Sequence, residues 1–195
     1  MSARYIFVMV GVVALLGGMI VAVTMALKIM NNIRKSNNTT IASQIIQKNM
    51  QLTSSAFDHN GLMPAKYTCD GENINPPLKI FNVPVEAESL VLIVDDSDAS
   101  AGDWVHWTVW NIAPDTSEIA ENSIPVGATL GMTDFVSQGY GGPCPPSGIH
   151  RYQFKLYALD KILEIGADSD KADIEAVMDG HILEQALLTG RYHRQ

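Results

Sequence analysis

Apolar and polar positions along this chain fall into three regimes. Tyr5 to Leu27 is an uncharged run of 23 residues, broken only by small or weakly polar side chains. As a helix it would be about 34 Å long at ~1.5 Å per residue, enough to span a bilayer. From about Asn49 the chain breaks into short apolar runs separated by Gly, Pro, Asn and Asp clusters, the punctuation of strands rather than long helices. Only near the end does a helical period appear: Ile174, Val177 and Met178, then Ile182 and Ala186 with Leu183 and Leu187, interrupted by Asp179-Gly180.

Within the strand-rich part, Ser89 to Val94 is a near-continuous apolar run, which predicts a strand buried on both faces. Trp104 to Trp110 is aromatic and β-branched, so a strand is expected there too, with His106 on the face of Trp104, Thr108 and Trp110. In a third strand His150, Tyr152, Phe154, Leu156 and Ala158 share one face, and Arg151, Gln153, Lys155 and Tyr157 the other. The pattern predicts a mostly β domain, a sandwich with one or two C-terminal helices, preceded by an N-terminal transmembrane helix. The expected boundaries are a membrane anchor at 1–28, a linker at 29–48 and the folded domain at 49–195. Asn31 to Thr40, rich in Asn, Ser and Thr, reads as solvated linker. Ile41, Ile45 and Ile46 among Gln44, Gln47 and Lys48 would add a short amphipathic turn. No internal repeat is present.

Composition sharpens this division. With 47% hydrophobic and 17% charged residues, the chain is neither disordered nor collagen-like and can bury a core. Its net charge of −8 argues against general nucleic-acid binding, which needs a clustered basic surface. Residues 1–50 hold five basic residues (Arg4, Lys28, Arg34, Lys35, Lys48) and no acidic one, so the remainder holds 8 basic and all 21 acidic residues, a balance of −13. A cleaved signal peptide fits the apolar run less well than an anchor, because the run is too long and Ala26-Leu27-Lys28 is a poor cleavage site. No Cys follows it for lipid attachment. Ala14, Gly18, Ala22 and Ala26 repeat at the small-xxx-small spacing that would let two such helices form a homodimer, although chance explains the repeat better. Lys28, Arg34 and Lys35 outnumber Arg4, which weakly favours a cytoplasmic domain. The two cysteines, Cys69 and Cys144, read either as a disulfide in an oxidising compartment or as two reduced thiols.

Two clusters can carry chemistry, each joining a strand edge to a loop. The first is Asp95-Asp96-Ser97-Asp98, followed eight residues later by His106; three acids so close repel one another, and at least one needs a histidine, an arginine or backbone amides. A turn in which Asp side chains accept backbone N–H groups is the plain alternative. A calcium loop fails, because counting from Asp96 the glycine position falls on Ala101 and the twelfth falls on Trp107. Zinc held by His106, His150 and an Asp has no short His/Cys spacing behind it, and no metal or other cofactor is expected. The second cluster runs from Gly139 to Tyr152. Its Gly-Tyr-Gly-Gly stretch has the backbone freedom to aim N–H groups at an anion, but from composition alone a purely structural turn is the better reading. There is no Gly-x-Ser-x-Gly nucleophile, and Cys144 near His150 reads better as a half-cystine or buried thiol than as a catalytic one.

Taken together, the motifs resemble those of the phosphatidylethanolamine-binding protein family, also called the Raf kinase inhibitor protein family, in its bacterial YbhB/YbcL branch. The resemblance runs from about Asn49 to Arg194, through Leu52-Thr53-Ser54-Ser55-Ala56-Phe57, Pro64 to Gly71, Pro76-Pro77, the Asp-x-Asp segment, Trp104-Val105-His106-Trp107, Gly-Tyr-Gly-Gly-Pro-Cys-Pro-Pro, His150-Arg151-Tyr152, Leu156 to Asp160 and Gly180-His181. It implies a β-sandwich with a small cavity for phosphate-like anions, including a phospholipid head group. Asp96 and His106 are then expected to line the cavity, Asp98 to support its loop and Tyr140 to turn its hydroxyl toward the anion, with His150 and the Gly141-Gly142 backbone as neighbours. The family's usual Asp-Pro-Asp-Ala-Pro is here Asp96-Ser97-Asp98-Ala99-Ser100, and loss of both prolines is expected to loosen the rim. The function implied is a membrane-tethered binding module for an anionic small molecule or phospholipid head group. A kinase- or protease-inhibitor-like regulator docking a protein partner is the alternative, and a hydrolase the least supported. The anchor, the cysteine pair and the family branch together favour a single-pass inner-membrane protein with a periplasmic domain.

Overall fold

The computed structural model describes residues 25–36, 49–100 and 102–194. The chain divides into two units, Met1–Lys48 and Asn49–Gln195. In the first, residues 25–36 are helical (α1). The expected linker therefore begins as helix; nothing from 25 to 36 is Gly or Pro, so no residue there stops one. The membrane span expected at 5–27 lies, up to residue 24, outside the described residues, as does the amphipathic turn at 41–48. Among the described residues no helix is long and apolar enough to cross a membrane.

The second unit is mostly β, as its punctuation predicts. Strands β1 (Gln51–Ser54), β3 (Leu78–Phe81) and β6 (Glu118–Ile119) form a three-stranded antiparallel sheet in the order β1-β3-β6. The larger sheet has the order β2-β9-β8-β4-β5-β7, from β2 (Gly61–Leu62), β4 (Ser89–Asp96), β5 (Trp104–Ile112), β7 (Thr129–Leu130), β8 (His150–Leu159) and β9 (Ile182–Tyr192). Its strands pair antiparallel except β2 with β9. Leu52, Leu78, Ile80 and Ile119 of the small sheet meet Leu90, Leu92, Val94, Phe154 and Leu156 of the large one in the main core. The other face of the large sheet buries Val91, Ile93 and Trp110 under Ile174 and Met178 of helix α2 (Lys171–Met178). Strand β4 is central, flanked by β5 and β8 and covered on both faces, so all eight of its residues are buried.

Two sequence expectations need correction. Only the first half of the late helical pattern is helix: Asp170 caps α2 in a reciprocal pair with Asp173, and the chain turns at Gly180, whose φ is 76°. Residues 182–192 instead form β9, which pairs with β8 along its length and buries the alternate residues Ala186, Leu188, Gly190 and Tyr192, with Thr189 buried as well. The apolar residues that suggested a helix there, Ile182, Leu183 and Leu187, are exposed. The second correction concerns β5. Val94 pairs with Trp107 but the next residue, Asp95, pairs with Val105, so His106 is an extra residue in a β-bulge. Beyond the bulge the alternation changes phase: Trp107 and Val109 point into the main core, while Trp110 lies under α2. His106 shares a face with Trp104 as expected, but not with Trp110.

Adjacent residues at the end of β4 consequently face opposite sides. Asp95 turns toward α2 and is completely buried, its Oδ2 accepting from Lys155 Nζ at 2.7 Å and Lys171 Nζ at 2.6 Å. Asp96 turns toward the opposite face, at the mouth of the sandwich.

Candidate functional site

At the ends of β4, β5 and β8 lies a cavity of about 410 Å³, lined by Asp96, Asp98, Trp104, His106, Phe135 and His150 together with Ala99, Ser100, Cys144, Pro146 and Ser147. The sheet register assembles it: Asp96 pairs with Trp104 on one side and Tyr152 on the other, so these three side chains share a face, and the bulge adds His106 beside them. Four of the residues expected from the sequence, Asp96, Asp98, His106 and His150, are thereby brought together.

Their hydrogen bonds assign roles. Asp96 Oδ2 is 2.7 Å from His150 Nδ1, and its Oδ1 accepts from the Asp98 backbone N–H at 2.9 Å. Asp96 thus closes a turn and also orients a histidine, so both readings of the acidic cluster hold. Because a carboxylate can only accept, His150 carries a hydrogen on Nδ1, and Nε2 is left for other contacts. His106 Nδ1 is 2.5 Å from the Gly141 carbonyl, and the Gly141 N–H donates to the His106 carbonyl at 2.9 Å. That pair fixes the ring and leaves Nε2 of neutral His106 as an acceptor. Burial lowers the His106 pKa below the ordinary imidazole value, outweighing the Gly141 carbonyl and the Asp96 charge, which raise it. The ring packs edge-on against Phe135 and Tyr152, with centroids 5.2 and 5.1 Å away.

Tyr152 was not among the expected site residues, although it stands two positions after His150 on the same strand face, a spacing that could have found it. Its hydroxyl is buried beside the Asp96 carboxylate and the Cys144 backbone, and burial first, then the Asp96 carboxylate, raises its pKa.

Three expectations for the glycine loop do not hold. The Tyr140 hydroxyl donates to the Tyr67 carbonyl at 2.9 Å, away from the cavity. The Gly142 N–H donates to Asn73 Oδ1 at 2.7 Å, and the Gly141 N–H is taken by His106, so neither amide is available to an anion. Both glycines are required by close approach: an added Cβ would come within 2.4 Å of the Phe135 ring at Gly141 and 2.5 Å of Asn73 Oδ1 at Gly142. The loop is structural, pinned to residues 67–73 by these bonds, by Cys69 N–H to the Pro143 carbonyl, and by a disulfide joining Cys69 to Cys144 with Cα atoms 5.4 Å apart. Among the described residues no group of His, Cys, Asp and Glu could hold a metal ion.

The rim is tied despite its missing prolines. Ser97 donates its backbone N–H to the Arg151 carbonyl at 3.1 Å, a bond proline could not make. Asp98 accepts from Arg151 N, Nε and Nη2 at 2.8, 2.9 and 2.6 Å, and the guanidinium holds its carboxyl below the usual carboxylate range. The expected loosening is therefore offset by β8 itself.

A pH prediction follows from His106. Its folded-state pKa is depressed, so the unfolded chain binds more protons and stability falls as pH drops through and below the unfolded imidazole value, about 6.5. Urea unfolding from pH 7 to 5 is expected to show a smaller decline in a folded His106→Asn variant than in the wild type. Equal slopes would contradict the buried neutral ring.

Residues 53–193 match the family model described as phosphatidylethanolamine-binding protein. The chain is 48% identical over 150 residues to a UPF0098 protein of Methanothermobacter thermautotrophicus, covering 74% of this chain and 99% of that one. A UPF0098 protein of Pyrococcus horikoshii is 44% identical over 151 residues, covering 73% and 76%. Among solved structures, CT736 of Chlamydia trachomatis, described as a homolog of phosphatidylethanolamine-binding protein, superposes with a TM-score of 0.73 at 43% identity, covering 75% of this chain and 99% of that one. E. coli YbcL, described as a new member of the mammalian PEBP family, gives 0.71 at 29% identity with the same coverage.

Proposed function

The chain belongs to the phosphatidylethanolamine-binding protein family, and on that premise we propose that it is a membrane-tethered binding protein whose cavity takes a phosphate-type anion, free or as a phospholipid head group. The observation that carries this reading is the cavity's polar lining: His150 oriented by Asp96 and His106 fixed by Gly141. The donors differ from those expected from the sequence. A proton on His150 Nε2 would supply a charged donor beside the Asp96 carboxylate, in a domain whose overall charge repels anions. Trp104 and Phe135 give the mouth an apolar wall suited to the organic part of an ester.

The tether rests on the apolar run at residues 5–27, and the oxidising, periplasmic side on the Cys69–Cys144 disulfide. Calorimetry with phosphate, phosphoethanolamine and phosphatidylethanolamine vesicles is expected to show saturable binding that His150→Ala and His106→Ala weaken. Absence of binding to all three between pH 5 and 8 would overturn the ligand. For the compartment, protease added to intact spheroplasts is expected to digest the domain, and protection from it would place the domain inside.

A further inference from the structure

The cavity wall presents a fixed hydrogen-bond acceptor, which a fully ionised anion would oppose. His106 is 3% exposed and lies on the cavity wall. Its Nδ1–H is committed to the Gly141 carbonyl, the Gly141 N–H locks the same backbone in return, and Phe135 and Tyr152 pack against the ring from two directions. The ring cannot exchange its nitrogens without breaking this set, so Nε2 is a fixed lone pair. Asp96, also buried, adds a negative charge next to it. An anion whose oxygens all lack hydrogen would set acceptor against acceptor here, and a buried polar atom left unpaired is costly.

Resting on the anion-binding reading above, we propose that the site is specific for an anion that brings its own hydrogen: a phosphate or phosphate monoester in its monoanionic form, whose P–OH donates to His106 Nε2 while another of its oxygens accepts from His150. His106 is then the specificity-determining residue, an acceptor that reads the ligand's proton rather than a cation that attracts its charge. The groups around His106 keep it in that role. From β4 come Asp96, and Asp95 neutralised by Lys155 and Lys171; from β8 come His150 and Tyr152, with Arg151 held by Asp98 at the rim. From the loop after β7 comes Asp134, which accepts the Val105 N–H. The three Asp carboxylates at 95, 96 and 134 pull the ring toward protonation, and burial overrides them.

The test compares methyl phosphate with methyl sulfate on the full-length protein by calorimetry. At pH 5.5 the two are monoanions of the same shape that differ in one hydrogen. Methyl phosphate is expected to bind at least about tenfold more tightly, since a site made to pair a polar group discriminates strongly against the analogue lacking its partner. Its affinity is expected to fall by pH 8, after the second phosphate proton is lost at about pH 6, by a larger factor than that of methyl sulfate. His106→Gln, whose amide can donate, is expected to narrow the difference between the two ligands. Equal binding at pH 5.5, or methyl phosphate affinity that rises with pH, would overturn the proposal and leave the anion site standing. Failure of both ligands to bind at any pH would overturn the proposal and the anion site together.

Discussion

Replacing Cys69 and Cys144 with serine is expected to destabilise the domain by about 4 kcal/mol, from the loop-closure entropy of a cross-link spanning 75 residues. For a domain of this size that is a fall in Tm on the order of 10 °C. The sandwich should survive, because the bridged loops keep their polar ties: Tyr140 hydroxyl to Tyr67, Gly142 N–H to Asn73, and Cys69 N–H to Pro143. Because Cys144 forms part of the cavity wall, ligand affinity should weaken in the same variant. Thermal melts of the wild type with and without reductant, beside Cys69→Ser/Cys144→Ser, check this. A wild type that melts at the same temperature as the double variant under oxidising conditions would contradict it.

The second large effect lies on the opposite face of β4. Asp95 is fully buried and one of its oxygens has no partner, so Lys155 and Lys171 compensate a carboxylate that water cannot reach. Either lysine alone still leaves a counter-charge. Lys155→Met combined with Lys171→Met leaves none, and removing the partners of a buried charge costs about 3–5 kcal/mol. Adding Asp95→Leu should recover much of the loss at pH 7, because an apolar replacement of the whole cluster removes the buried charge with its partners. Chemical denaturation at pH 7 measures both. A triple variant no more stable than the double variant would place the deficit in lost packing rather than in the buried charge.

Strand β4 was legible because its surroundings leave one solution: an unbroken apolar run between polar turns, ending in acids, must be a central strand. The face shared by His150, Phe154 and Leu156 was equally plain from alternation. Alternation failed in β5, since a bulge is an extra residue in a ladder and depends on the partner strand, which no local pattern shows. Strand β9 was misread for a related reason. Its exposed Ile182, Leu183 and Leu187 imitate a helical stripe, and only pairing with β8 selects the alternating set that is buried.

The site shows the same split. Motif and resemblance picked out Asp96, Asp98, His106 and His150 together, and the fold gathers them at one cavity, whereas the roles of Tyr140, Gly141 and Gly142 depend on what lies across from them. Tyr67, Asn73, Phe135 and His106 take up the hydroxyl, the amides and the space that seemed free for a ligand. Asp95 and Asp96 are neighbours in sequence with unrelated duties, separated only by the pleat of the strand.

The central claim is that the histidine pair at the mouth of the sandwich binds a phosphate-type anion. It is tested most directly by titrating isotope-labelled full-length protein with phosphoethanolamine and following side-chain resonances. The account predicts saturable shifts of the His106 and His150 rings and of Tyr152, with none at the separate pocket lined by Asn73 and Asn122. Shifts confined to that second pocket, or no shift at His106 and His150 at saturating ligand, would contradict it.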